Sequence, residues 1–217
     1  MNIYPSLLGV PNLLTLQEVI DLLNPHCDGF HIDIMDNHFV PNLTWGAPLT
    51  NAIDQAAITP SWVHLMVDNP LSIIKQLSIK EESIISFHIE TISDPMPLYE
   101  IFHSNGWKSS IALKPLTPIE HIFPYLSKIS HVLLMSVEPG FSGQQFLEDT
   151  LPRLQALATF KRNNNLSFHI GVDGGINTHN IKQLTQYGVS AVAIASDIFK
   201  TPNYVNAVKK LYAISNI

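Results

Sequence analysis

Short apolar runs alternate with amphipathic stretches along the whole chain, and this alternation limits the fold more than any other feature. The runs lie at residues 3–7, 29–35, 62–67, 84–89, 110–114, 132–137, 168–173 and 191–195. Each has the length of a buried strand. Between them, residues 14–23, 71–77, 98–103, 151–161, 181–187 and 204–212 carry apolar side chains at helical spacing. Strand and helix in strict succession predict parallel βαβ units. About eight such units in 217 residues predict a (β/α)8 TIM barrel near the short end of its class. An open doubly wound sheet would carry a glycine-rich turn after its first strand, and Ser6-Leu7-Leu8-Gly9 is not one. No linker or composition shift divides the chain, so residues 1–217 are expected to form one domain.

Charge narrows the classes of partner. Only 14% of residues are charged against 46% hydrophobic, which suits strands buried on both faces. A net charge of -6 and a pI near 5.9 argue against nucleic acid and anionic membranes as partners. An anionic substrate must then be held by local dipoles and backbone amides. Cys27 is the one cysteine, the start Met1-Asn2-Ile3-Tyr4-Pro5 lacks a basic segment leading into an apolar one, and no apolar run reaches membrane-spanning length. These features predict a cytoplasmic protein.

The second run, Phe30-His31-Ile32-Asp33-Ile34-Met35, places His31, Asp33 and Met35 on one face. The third repeats the pattern with Trp62, His64 and Met66, and the seventh puts Gly171 and Asp173 on one face before Gly174-Gly175. In a barrel that face looks inward, where a carboxylate is costly unless paired or bound to a metal. Each histidine alone reads as a core residue bonded to backbone. Together with Asp33 and Asp173 at strand carboxyl ends, His31 and His64 form a candidate site for one divalent ion per chain, zinc, manganese, iron or cobalt. Met35, Met66 and Met135 end strands beside these residues, where they either fill the core or line a dry pocket. The stretch Gly140-Phe141-Ser142-Gly143, the pair Gly174-Gly175 and Ala195-Ser196 follow strands six, seven and eight. Turns there expose amides able to cradle phosphate.

At these residues the chain resembles the ribulose-phosphate 3-epimerase family over nearly its whole length. The motifs are Tyr4-Pro5-Ser6, His31-Ile32-Asp33-Ile34-Met35-Asp36, His38-Phe39-Val40-Pro41-Asn42, His64-Leu65-Met66-Val67, Met135-Ser136-Val137-Glu138-Pro139-Gly140-Phe141, Gly143-Gln144 and Val172-Asp173-Gly174-Gly175-Ile176. The resemblance implies an isomerase that inverts C3 of a ketose phosphate, D-ribulose 5-phosphate to D-xylulose 5-phosphate, by two-base proton transfer through a metal-stabilised enediolate. It implies His31, Asp33, His64 and Asp173 as metal ligands, with Asp33 and Asp173 also as the acid–base pair. Ser6 and His64 would contact substrate, and the turns after strands six to eight would hold its phosphate. A six-carbon ketose phosphate such as allulose 6-phosphate is the alternative substrate, and a non-catalytic sugar-phosphate-binding protein the alternative class. A homo-oligomer is left open. Asn37, Ser142 and Ala195 stand where the family usually has glycine; asparagine tolerates positive φ, whereas a β-carbon at 195 would bear on the approach of phosphate.

Overall fold

A computed structural model of the chain describes residues 1–215. All eight expected strands form: β1 (Asn2–Pro5), β2 (His31–Met35), β3 (Trp62–Met66), β4 (Ile84–His88), β5 (Lys108–Leu113), β6 (His131–Met135), β7 (His169–Asp173) and β8 (Val189–Ile194). They pair in parallel in the order β1-β8-β7-β6-β5-β4-β3-β2. The two ends of that order meet through one isolated parallel bridge, Ser6 to His31, so the barrel is nearly closed with a narrow seam between β1 and β2.

The helices are α1 (Leu16–Leu23), α2 (Ala47–Ala56), α3 (Pro70–Ile74), α4 (Met96–Ser104), α5 (Thr150–Asn163), α6 (Ile181–Thr185), α7 (Ser196–Phe199) and α8 (Tyr204–Ser215). Two departures from expectation have local causes. The α2 segment, Ala47-Pro48-Leu49-Thr50-Asn51-Ala52-Ile53-Asp54-Gln55-Ala56, is not among the expected helices: of the residues it buries, Ala47, Thr50, Ile53 and Asp54, two are polar, and proline near its start favours the helix. Between β5 and β6 the chain forms a 3-10 turn, Ile119–Tyr125, because Pro124 inside it removes an amide donor. No helix among the described residues is long and apolar enough to cross a membrane.

Strand alternation sorts the core into shells. Ile32, Ile34, Val63, Leu65, Val132 and Leu134 join the large cluster between sheet and helices. Tyr4, Trp62, Ile84, Ala112, Leu133, Met135, Val137 and Ala191 make a smaller, separate cluster. The Trp62 indole donates to Ser86 Oγ at 2.8 Å, and that hydroxyl donates to Ser110 Oγ at 2.7 Å, so the polar atoms around this cluster are paired. Gly171 makes room for this indole: a β-carbon there would lie 2.9 Å from Trp62 Cζ2. A third cluster, Met35, Val40 and Met66, has Leu8 and Phe39 packed on it.

Register then levels the catalytic candidates. Asp33 stands opposite His64, Met35 opposite Met66, and Met135 opposite Asp173. Side chains from strands distant in sequence therefore emerge at one height.

Candidate active site

His31, Asp33, His64 and Asp173 converge so closely that one ligand atom from each lies within 4.8 Å of all the others. The contacts run between nitrogen and oxygen. His31 Nε2 is 3.1 Å from Asp33 Oδ1 and 3.6 Å from Asp173 Oδ2; His64 Nδ1 is 3.2 Å and 3.6 Å from the same two oxygens. Ligand atoms about 2.1 Å from a tetrahedral ion are about 3.4 Å apart. The four measured edges bracket that spacing, so this donor set could hold a metal ion. Mixed imidazole and carboxylate donors suit a divalent transition metal.

The rest of the shell is built around Asp33. Its Oδ2 accepts from Ser6 Oγ at 2.8 Å, and its carbonyl accepts from Thr44 Oγ1 at 2.7 Å. Burial pushes the Asp33 carboxyl up, but the adjoining His31 and His64 outweigh it and hold it well below the usual carboxylate range. Burial likewise pushes the His64 imidazole down, yet hydrogen bonds and charge from Asp173 and Asp33 raise it to about 9. His31 Nδ1 is buried and meets no protein partner, whereas the far side of His64 does. His64 Nε2 lies 2.9 Å from His88 Nε2, and His88 Nδ1 lies 3.1 Å from Glu90 Oε2. Glu90 Oε1 accepts from the Lys114 amide at 2.8 Å and from the Thr117 hydroxyl. Burial raises the Glu90 carboxyl, but His88, Thr117 and the Lys114 amide bring it down to about 2.

Above the cluster lies a cavity lined by Ser6, Asp33, Met35, Met66, Met135, Asp173 and the turns after β6, β7 and β8. Gly140, Phe141, Ser142, Gly143, Gly174, Gly175, Ala195 and Ser196 all line it. His64 does not; it is fully buried behind the carboxylates and meets the cavity only through them. Gly174 (φ 111°) and Gly175 (φ 63°) take left-handed backbone that bares their amides. A β-carbon on Gly175 would also fall 2.7 Å from Phe146 Cα, so any side chain there disrupts loop packing. Ser136 Oγ donates to the Asp173 carbonyl at 2.9 Å and to the Gly174 carbonyl at 2.6 Å. Gln144 Nε2 donates to the Glu138 carbonyl at 2.6 Å and to the Phe141 carbonyl at 2.9 Å, closing the turn after β6.

Of the positions that differ from the family pattern, Asn37 takes φ 59°, as a stand-in for glycine must. Ala195 takes φ -104°, which suits any residue, and its methyl is accommodated by Gly9, where a β-carbon would lie 2.9 Å from it.

Sequence spacing alone does not mark His88, Glu90, Ser136 and Gln144 as site residues. His88-Ile89-Glu90 closes an apolar run with an imidazole and a carboxylate two apart, which is the signal that was available.

The model of the ribulose-phosphate 3 epimerase family matches residues 2–199. A protein named ribulose-phosphate 3-epimerase from Helicobacter pylori strain J99 is 36% identical over 97% of this chain and 96% of its own length. Its namesake from Escherichia coli K12 is 31% identical, with 96% of this chain and 93% of that protein aligned. Among solved structures, KGPDC from Streptococcus mutans superposes with a TM-score of 0.70 at 12% identity, covering 99% of this chain and 97% of its own. Phosphoribosyl anthranilate isomerase from Thermococcus kodakaraensis gives 0.63 at 11%, covering 98% and 97%. At such low identity these two likenesses establish the barrel alone.

Proposed function

The chain belongs to the ribulose-phosphate 3-epimerase family and is a carbohydrate epimerase, and from that premise we propose that it interconverts D-ribulose 5-phosphate and D-xylulose 5-phosphate. The observation that carries the reading is the meeting of Asp33 and Asp173 with His31 and His64 at the floor of a cavity whose far wall is made of glycine-rich turns.

His31, Asp33, His64 and Asp173 would hold one divalent ion, zinc, manganese, iron or cobalt. When bound, such an ion supplies Lewis acidity toward the negative charge that develops on a ketose deprotonated beside its carbonyl. Inversion requires a proton to leave one face of C3 and another to arrive on the opposite face. Asp33 comes from β2 and Asp173 from β7, so two carboxylates reach the cavity from separate strands. One takes the proton from C3 and the other returns one. The Ser6 hydroxyl keeps Asp33 oriented and ionised by donating to its Oδ2. Met35, Met66 and Met135 bound the same space with apolar, polarizable surface and exclude water from the reacting carbon. Amides of Gly143, Gly174, Gly175 and Ser196 would bind the phosphate, consistent with the absence of a basic surplus.

The test is an assay in deuterated water with added divalent metal, offering D-ribulose 5-phosphate and allulose 6-phosphate separately. The expected result is xylulose 5-phosphate carrying deuterium at C3. Preferential turnover of the hexulose would move the substrate to the six-carbon sugar. Binding of both with neither turnover nor exchange would leave a sugar-phosphate-binding protein.

A further inference from the structure

We propose that Glu90 and His88 are positioning residues for the metal centre, forming a hydrogen-bonded chain that runs from the surface to the buried His64 and fixes its orientation and tautomer. This rests on the metal reading above.

The geometry of the chain leaves few choices. Between His64 Nε2 and His88 Nε2, 2.9 Å apart, only one nitrogen can carry the hydrogen. When His64 Nδ1 serves as a ligand, its lone pair points at the ion and its hydrogen sits on Nε2. His64 then donates to His88, which must accept at Nε2 and so carries its own hydrogen on Nδ1. That hydrogen faces Glu90 Oε2 at 3.1 Å. Glu90 can accept it because a carboxylate has no hydrogen to offer, and its other oxygen is already committed to the Lys114 amide and the Thr117 hydroxyl. Every polarity follows from the one before it, from backbone amide to metal ligand.

Packing makes the chain rigid. His64 and His88 are both fully buried, their rings stacked at 5.1 Å with 28° between planes. Phe39, from the loop after β2, lies on the His88 ring at 4.6 Å, and Lys114 Nζ caps the Phe39 ring at 3.7 Å. His31 offers the contrast: its outer nitrogen has no such partner. The carboxylate therefore tunes one imidazole ligand of the pair. An outer carboxylate orients a ligating imidazole and raises its basicity, and losing one typically weakens metal binding 10–100-fold.

The test uses the full chain stripped with chelator and titrated with cobalt(II), reading both the dissociation constant and the visible absorption of the bound ion. Glu90→Gln should bind cobalt(II) about 10–100-fold more weakly than wild type, with a changed absorption spectrum. His88→Phe is the second variant, because a phenyl ring keeps the stacking on His64 but has no nitrogen to accept from it or to donate to Glu90; it should weaken binding similarly if Glu90→Gln fails to fold. Unchanged affinity and spectrum in the folded variants, beside a wild type that binds one ion, would overturn the chain while leaving the metal reading intact. A wild type that takes up no ion would overturn the metal reading, and this proposal with it.

Discussion

At the scale of single residues, His64 and Asp173 carry the sharpest expectations. Hydrogen bonds and charge from Asp173 and Asp33 outweigh burial and raise the His64 imidazole to about 9, against an ordinary 6.5. A proton bound more tightly in the folded chain stabilises it, fully below pH 6.5, and that stabilisation is lost as the pH rises through about 9. A metal ion takes the place of the same proton, so cobalt(II) uptake should release protons and tighten as the pH rises toward 9. Titration calorimetry in buffers of different ionisation enthalpy would count those protons; uptake that is independent of pH across this window would contradict it. Asp173→Asn keeps size and a possible ligand oxygen but removes the carboxylate proposed as a base. It should lower kcat by about 10²-fold or more while one epimer still exchanges its C3 proton with deuterated water. Near wild-type turnover in a metal-loaded Asp173→Asn protein would mean that other groups carry the proton.

At the scale of elements, the loop after β2 is the part that most needs explanation. Asp36 anchors it by accepting from the amides of His38 (2.9 Å), Phe39 (3.0 Å) and Asp68 (2.8 Å). Asn42 Nδ2 then donates to the Gly140 carbonyl at 2.6 Å, tying this loop to the turn after β6. Asn42→Ala should cost about 1 kcal/mol, the net worth of one such bond, and lower Tm by about 2–4 °C. Because the bond holds the cavity-lining turn at Gly140, KM should rise more than kcat falls; a variant that loses stability with KM unchanged would show the tie to be structural only. The strands were legible because a period of two is read directly from residues such as Phe30, Ile32 and Ile34 against His31, Asp33 and Met35. The same period exposed His31, Asp33 and His64, since a polar residue on an inward face stands out. His88 and Glu90 did not stand out, because their partners come from β3 and from the turn after β5 and share no sequence spacing with them. Helix α2 was illegible for a different reason: its buried face mixes Ala47 and Ile53 with Thr50 and Asp54, so it does not stand out as an apolar run, and packing rather than propensity holds it.

At the scale of the whole molecule, the sheet is a ring fastened at one point. Seven strand pairs have full ladders, and only the Ser6–His31 bridge joins β1 to β2. The candidate ligands span the ring on both sides of that seam, with His31, Asp33 and His64 on β2 and β3 and Asp173 on β7. An ion bound to all four would brace the seam, and a ligand at a thousand times its dissociation constant stabilises the fold by about 4 kcal/mol. Chelation should therefore lower Tm and speed amide hydrogen exchange in β1 and β2 more than in β4 and β5. Equal acceleration in all strands would mean that the ion does not brace this seam. Ser6 performs two tasks at that place, bridging the seam with its backbone and orienting Asp33 with its hydroxyl. An engineer selecting this barrel for heat resistance would thus meet a trade-off at one serine: substitutions that make the join permanent alter the hydrogen bond that keeps the carboxylate ready, so the hardiest variants should be among the slowest.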